Sequence, residues 1–387
     1  MTVASKNSTR PRIAFVFNHD FFLGGGERSF SELIQNLNRR IYNPIVVVPG
    51  QGEIKEYFEG NEASVLVTPF PPLKYILIGH PVFSLVAFCR VLKENCVNII
   101  HANGSRACFY SVLAGRMLST PVVWHVRETI KDFFFYDGFL GSLAKIIICV
   151  SRGVQSKRFE RFGTKIGDKI RIIYNGVDTQ AFRTDGNKRE KTRKKLGVKE
   201  NEILYGIIGN FIPLKGQDFF LRALARAKEQ RPGLRVRLLM VGRALDPTFE
   251  KALRRLVSGL KLDSTVLFHD YTQNIAEIFS ALDVFVLPSK REGFSRSLLE
   301  AMSCGLPILA TRLDEVEEAV SRDEGGILID FGDVEKMGSA IITLCENSGL
   351  RKEMGGRNRK RAIERFSLRA HAESVQEIYT KLLFDDL

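Results

Sequence analysis

A chain of 387 residues is too long for one ordinary core, and a hydrophobic content of 44% fills two cores of about 150 to 200 residues each. The six cysteines (Cys89, Cys96, Cys108, Cys149, Cys304, Cys345) are scattered without a CxxC pair, which excludes a disulfide framework and a zinc module. The formal net charge of +13 asks for an acidic partner. With no RNA- or DNA-binding module in the chain, that partner is a phosphorylated substrate or an anionic lipid surface, and not nucleic acid.

Residues 1–12 are polar and lack the apolar run of a signal peptide, so the chain is expected in the cytoplasm. A strand at 13–17 (IAFVF) leads to Gly24-Gly25-Gly26-Glu27-Arg28 and then to a helix with apolar Phe30, Leu33, Ile34 and Leu37. Glycines at a helix start let backbone N–H groups approach an anion. A dinucleotide site fits poorly: the glycines are consecutive rather than GxGxxG, and the strand at 44–48 ends in Pro49-Gly50 rather than an acid.

Short apolar strands at 65–67, 97–101, 122–125 and 146–150 alternate with helical stretches at 82–94 and 106–118, the pattern of an α/β fold with a parallel sheet. The longest apolar stretch, 75–92, is broken by His80, Pro81 and Arg90 and falls short of a membrane span. Two aromatic segments, 70–88 and 132–140, interleave with Lys74, Arg90, Lys131 and Lys145. They read either as core or as a surface seated on an anionic membrane. His125 ends a strand, where it is either a satisfied structural residue or a ligand contact.

Residues 179–202 are polar and basic and read as a surface connection. A second α/β region starts with the strand 203–209 and the turn from Asn210 to Gly216, in which Lys215 beside a glycine at a helix start suits a diphosphate. Strands at 236–241 and 266–268 follow. The run 288–311, PSKREGFSRSLLEAMSCGLPILAT, then reads as loop, helix and strand, with Glu292 and Glu300 near the helix start. Carboxylates repel phosphate and accept from hydroxyls, so the pattern suits a nucleotide-sugar. The rival readings are a capping box at Ser297 to Glu300 and an exposed loop charge at Glu292. Beyond Asp333 the chain reads as helical.

EGFSRSLLEAMSCGLPILAT resembles the E-x7-E signature of the large retaining glycosyltransferase family 4, also called glycosyl transferases group 1. GGGER, WHVRE (124–128) and RIIYNGVD (171–178) resemble further elements of that family. In its usual GR-x4-KG turn this chain has Asn210 in place of the arginine. The resemblance implies the GT-B architecture, two Rossmann-like domains facing across a deep cleft. Its parts would be an acceptor domain at 1–177, a linker at 178–202, a nucleotide-sugar domain at 203–367, and a helix at 368–387 crossing back to the first.

The resemblance also implies a retaining, metal-independent hexosyltransferase that uses a nucleotide-diphospho-sugar as substrate, with no other cofactor and no metal site, since no DxD motif sits in a suitable loop. The acceptor would be a glycan or glycolipid of the lipid-linked or cell-envelope kind, met at the inner face of the membrane. On this reading Gly25, Gly26, Asn210, Lys215, Gly293, Phe294, Ser295 and Arg296 surround the diphosphate, and Glu300 holds the ribose. Glu292 and His125 are the catalytic residues beside the transferred sugar. His269, Asp270 and Tyr271 would line the base pocket, and Glu318 with Gly325 and Gly326 fits a later family segment. Arg296, or else Arg243, would supply the charge missing at Asn210. The rivals are a sugar-nucleotide epimerase or phosphorylase on the same fold, and a non-catalytic nucleotide-sugar binding protein.

Overall fold

A computed structural model describes residues 10–60, 63–71, 80–129, 134–272, 274–321 and 324–384. The chain divides into two compact units, Met1–Asn175 with Arg369–Leu387, and Gly176–Leu368.

The first unit is built on seven parallel strands: β1 (Arg12–Val16), β2 (Asn43–Val48), β3 (Ser64–Val67), β4 (Ile99–Asn103), β5 (Val122–Val126), β6 (Ile146–Cys149) and β7 (Ile170–Ile172), in the order β3-β2-β1-β4-β5-β6-β7. Runs such as IAFV and IVVV are apolar without alternation because both faces of a parallel sheet are covered. The order reverses direction between β1 and β4, which opens a crevice at their carboxyl ends. β4 begins two residues later than its apolar pattern suggests and runs on through His101, Ala102 and Asn103, all buried. Polar residues in a central strand escape a hydrophobicity reading; here each has a hydrogen-bond partner. The last helix, Leu368–Phe384, places Ala372, Val375, Ile378 and Tyr379 in this unit's core with Phe15 and Phe30.

The second unit has six parallel strands: β8 (Ile203–Ile208), β9 (Val236–Gly242), β10 (Val266–Asp270), β11 (Val284–Leu287), β12 (Ile308–Thr311) and β13 (Gly326–Ile329), in the order β10-β9-β8-β11-β12-β13. Its switch point lies between β8 and β11. β13 was hidden by the glycine at its start, which close packing demands: a Cβ on Gly326 would lie 2.5 Å from the Ile308 carbonyl oxygen.

The stretch expected as a surface connection contains the helix Gly186–Lys195. Its buried Arg193 donates to Asp283 Oδ2 at 2.9 Å, and Arg189 donates to the Leu282 carbonyl at 2.7 Å. Charge-rich composition concealed this packing, because these guanidiniums tie the helix down instead of facing water.

The two aromatic segments divide. Phe70 and Phe88 are buried edge to face with ring centroids 5.1 Å apart, whereas Val82, Phe83 and Val86 on the helix His80–Glu94 are exposed. In the second segment Asp137 and Leu140 are fully buried and Phe139 is exposed. Lys74 and Lys131 lie outside the described residues. Among the described residues no helix is long and apolar enough to cross a membrane.

Candidate active site

In the second unit the loops after β8 and β11 meet at the switch point. Gly216 has φ +65°, and a Cβ there would lie 1.9 Å from the Pro288 carbonyl oxygen, so only glycine lets the Lys215 turn close on the end of β11. The Lys290 amide donates to the Leu214 carbonyl at 2.9 Å and fastens the two loops. Lys215 Nζ then donates to Glu292 Oε1 at 2.7 Å, and the same oxygen accepts from Ser289 Oγ at 2.6 Å. Glu292 is therefore not an exposed loop charge: its side chain is 8% exposed.

The helix Arg296–Ser303 starts beside this pair. Its N-cap is Ser295, whose hydroxyl accepts from the Leu298 amide. Glu300 thus lies too deep in the helix to close a capping box from Ser297, and it instead accepts from Arg296 Nε at 2.8 Å, one turn earlier. Phe294 is buried edge to face with Phe366 at 5.5 Å and anchors the loop that carries Gly293. Lysine, arginine and two carboxylates are held within two adjoining loops and one helical turn. Asn210 opens the turn before Lys215, where its carbonyl accepts from Gln217 Nε2 at 3.0 Å. Arg243 follows β9 with its guanidinium 4.9 Å from the Tyr271 ring centroid, and its carbonyl accepts from the Phe211 amide.

In the first unit the helix Gly25–Gln35 follows β1 with Gly24 as N-cap and no side chain capping its N–H groups. A Cβ on Gly24 would meet nothing within 4 Å. Glycine there is not forced by the protein's own packing, and it leaves the helix's positive end uncovered. Arg127, just past β5, gathers the neighbourhood: Nε donates to Asn103 Oδ1 at 2.7 Å, Nη1 to Ser29 Oγ at 3.0 Å, and Nη2 approaches His125 Nδ1 at 3.3 Å.

His125 is fully buried in β5 between this arginine and His101, whose Nε2 is 3.2 Å from His125 Nδ1. His371, from the last helix, lies with its ring centroid 6.1 Å from that of His125 and bonds the Tyr174 carbonyl through Nδ1 at 2.6 Å. Burial, then Arg127, then His101 and His371 push the His125 pKa well below the ordinary value. Burial followed by Arg127 and His371 does the same to His101, and burial with Arg127 lowers His371 to about 3, against the opposing pull of the Tyr174 carbonyl.

All three histidines are neutral at pH 7. The unfolded chain protonates them near 6.5 while the folded chain excludes those protons, so their contribution to stability is complete above about pH 6.5 and is lost as the pH falls below it, for His371 as it falls towards about 3. The slope is up to about 1.4 kcal/mol per pH unit for each. A melting temperature followed from about pH 7.5 to about pH 5 is expected to fall less steeply in His371→Gln than in the parent. Parallel curves would refute the assignment for His371.

A pocket of about 530 Å³ also opens in this unit, lined by His19, Asp20, Phe21, Pro49, Phe70 and Arg106 among others. These residues follow β1, β2 and β3 at the carboxyl edge or start the helix after β4. Sequence reading passed over His19, Asp20, Phe21 and Arg106, although a polar residue directly behind a parallel strand is itself a signal. It gave no role to Arg127, two residues past His125 in the segment WHVRE, or to His101, which the β4–β5 register brings to His125.

Two doubly wound parallel sheets, each with charged or uncapped groups at its switch point, define the double-Rossmann glycosyltransferase class. The family profile described as glycosyl transferases group 1 matches residues 188–361, and that described as Glycosyltransferase Family 4 matches residues 23–181. The chain belongs to the family 4 glycosyltransferases. It is 29% identical over 330 residues to the N-acetyl-alpha-D-glucosaminyl L-malate synthase of Bacillus anthracis, an alignment covering 81% of this chain and 83% of that one. It is 22% identical over 374 residues to the Escherichia coli UDP-Gal:alpha-D-GlcNAc-diphosphoundecaprenol alpha-1,3-galactosyltransferase, covering 93% and 95%. The Anabaena protein HepE, solved with UDP-glucose, superposes with a TM-score of 0.83 at 24% identity over 96% of this chain and 99% of that one.

Proposed function

We propose that this glycosyltransferase moves a hexose, with retention and without a metal, from a nucleotide-diphospho-sugar to a hydroxyl of a lipid-linked or cell-envelope glycan. The observation that carries this reading is the alternation of Lys215, Glu292, Arg296 and Glu300 at the switch point of the second sheet. Cations beside a diphosphate and carboxylates beside hydroxyls are what such a donor requires. Lys215 and Arg296, with the amides of Gly293 to Ser295, neutralise charge developing on the leaving diphosphate, Glu300 holds the ribose and Glu292 the sugar. Gly25 and Gly26, at an uncapped helix start in the first unit, are proposed as further diphosphate contacts, and His125 is proposed to orient the sugar. No residue is assigned as a covalent nucleophile: on the family's front-face course the diphosphate takes the acceptor's proton.

The acceptor reading is supported by the first unit's pocket, where Phe21, Pro49 and Phe70 stand beside the polar His19, Asp20, Ser84 and Arg106, a mixed lining that suits a small part of a glycolipid. The Escherichia coli relative is named for a diphosphoundecaprenol-linked acceptor, in keeping with this choice. The test is a melting-temperature panel of UDP-, GDP- and ADP-sugars followed by transfer of labelled sugar from the best stabiliser. A donor that stabilises and is turned over onto an extracted glycolipid supports the reading. One that stabilises without transfer or hydrolysis, on any acceptor offered, makes the chain a binding protein.

The helix His80–Glu94 exposes Val82, Phe83 and Val86, with Arg90 and Lys93 continuing the same stripe. Apolar residues beside basic ones suit an anionic bilayer, and the net charge of +13 adds to the attraction. Sedimentation with anionic liposomes is expected to carry the protein down at low salt and release it at high salt, while Phe83→Asp stays in the supernatant. Binding indifferent to lipid charge would refute this.

Asn210 leaves the family's arginine position without a charge, and Arg296 is proposed to serve in its place. Arg296→Ala is then expected to weaken donor binding by about 1.5 to 3 kcal/mol. Asn210→Arg alone should change little, and the double variant should recover affinity. If calorimetry shows all three binding like the parent, neither position touches the phosphates.

A further inference from the structure

The strand order of the first sheet reverses between β1 and β4, and the pocket of about 530 Å³ takes walls from the segments just behind those two strands, His19 to Phe21 and Arg106. Asn18 ties the two segments together. Its carbonyl accepts from Arg106 Nη2, its Oδ1 accepts from the Ala107 amide at 3.1 Å, and its Nδ2 gives to His19 Nε2 at 3.3 Å. An amide nitrogen can only donate, so neutral His19 carries its proton on Nδ1 and gives it to Glu27 Oε1 at 3.0 Å. Glu27 is thereby engaged by His19.

Arg106 is not matched in this way. The helix Ser105–Leu118 has Gly104 as N-cap, no capping side chain and no acid in its first turn, which carries Arg106 instead. A helix start favours negative charge, so a guanidinium there adds a cation to an end that is already positive. Among the described residues no carboxylate forms an ion pair with Arg106, and its buried Nε has no hydrogen-bond partner. Asp20 lines the same pocket without an ion pair. It is packed against the loop after β2, where a Cβ on Gly50 would lie 2.4 Å from Asp20 Oδ2. A half-buried cation and a half-buried carboxylate are thus kept apart beside Phe21, Pro49 and Phe70, and each has its favourable partner in a ligand. The guanidinium fork matches an oxyanion, and the carboxylate can only accept, which suits a hydroxyl. With one cation present and Asp20 near it, a single negative charge suits the pocket better than two.

We propose that this pocket recognises an acceptor bearing one singly charged oxyanion, a carboxylate or a phosphodiester, which sits on Arg106 while a neighbouring hydroxyl gives to Asp20. The proposal rests on the acceptor reading of the pocket and makes Arg106 the residue that tells an acidic acceptor from a neutral one.

The probes are mandelate, which joins an apolar ring, a hydroxyl and a carboxylate, and phenyl 2-hydroxyethyl phosphate, its phosphodiester counterpart. Mandelamide, which is neutral, and phenylacetate, which lacks the hydroxyl, are the controls. Binding to the full chain is read by saturation-transfer NMR titration without any donor, so its failure is distinct from failure of the transferase reading. In the parent at least one of the two anions is expected to bind about 10-fold more tightly than mandelamide, and the tighter of the two names the acid. Arg106→Gln, whose amide can still give to the Asn18 carbonyl, should erase that margin, and Arg106→Lys should keep part of it. Asp20→Ala should erase the smaller margin of mandelate over phenylacetate and leave the anion margin in place. Lys215→Ala, which removes a cation from the second unit, should bind the probes as the parent does. Mandelamide bound as tightly as both anions would overturn the proposal. So would an anion margin that survives Arg106→Gln, or one that disappears in Lys215→Ala, in variants that melt like the parent. In turnover on an extracted glycolipid, Arg106→Gln should raise KM for the acceptor about 10-fold, with kcat and the donor KM changed far less. A loss confined to kcat would count against recognition of the acceptor by Arg106.

Discussion

Lys215→Ala is expected to cost binding of the free nucleoside diphosphate by about 1.5 to 3 kcal/mol, the worth of a charge-assisted hydrogen bond, whereas Glu292→Ala is expected to bind it at least as tightly as the parent. The asymmetry comes from the pair itself. Lys215 is held 2.7 Å from Glu292 Oε1, so a diphosphate must draw the ammonium away from a carboxylate that also repels it. Removing Glu292 relieves both effects. If Glu292 contacts the transferred sugar, however, the same variant loses transfer on the order of 10²-fold while diphosphate affinity holds. Glu300→Ala should behave in the opposite way, weakening the diphosphate through its ribose. Calorimetry with the diphosphate alone, set beside turnover of the intact donor, separates the three. Equal loss of diphosphate affinity in Glu292→Ala and Glu300→Ala would remove the division of roles between the two carboxylates.

What the sequence shows of this site depends on how each part is assembled. Lys215, Glu292, Arg296 and Glu300 lie in two short stretches directly behind strands, so spacing marks them. The capping box did not hold, because the cap depends on where the helix begins, and Ser295, not Ser297, ends the loop. His101, His371 and Tyr379 carry no such mark. His101 lies beside β5 only through the β4–β5 register, in which it faces Val123, and His371 and Tyr379 arrive on a helix more than two hundred residues away. The strands were visible wherever branched apolar residues ran unbroken. Glycine at its start hid β13, while β4 was marked at 97–101 and only its end through Ala102 and Asn103 went unmarked. The helix Gly186–Lys195 was hidden for the converse reason: its buried contacts are made by arginines, which composition counts as solvated.

The same blindness to buried charge applies to Asp137, and there a large effect on stability is expected. Read in sequence, it interrupts an aromatic run. In the structure it is fully buried on the helix Phe134–Leu143 and faces Arg158, itself 3% exposed. Both carboxylate oxygens accept from the guanidinium, with Nε to Oδ2 at 3.3 Å and Nη2 on Oδ1. Arg158 also lies over Trp124, 5.3 Å from its centroid, and donates to Ser105 Oγ at 3.3 Å. Asp137→Ala takes from that buried guanidinium the carboxylate that faces it and should destabilise the first unit by about 3 to 5 kcal/mol. Replacing the whole pair differs from breaking it, because an apolar pair of similar volume has no desolvation cost to offset. Asp137→Leu with Arg158→Met should therefore recover most of the loss, limited by the stacking on Trp124 and the bond to Ser105 that methionine cannot make. Urea unfolding followed by fluorescence of Trp124, the chain's one tryptophan, reports on this unit directly. A single Asp137→Ala variant as stable as the parent would mean that water reaches Arg158 and that the pair is not sealed as its burial indicates.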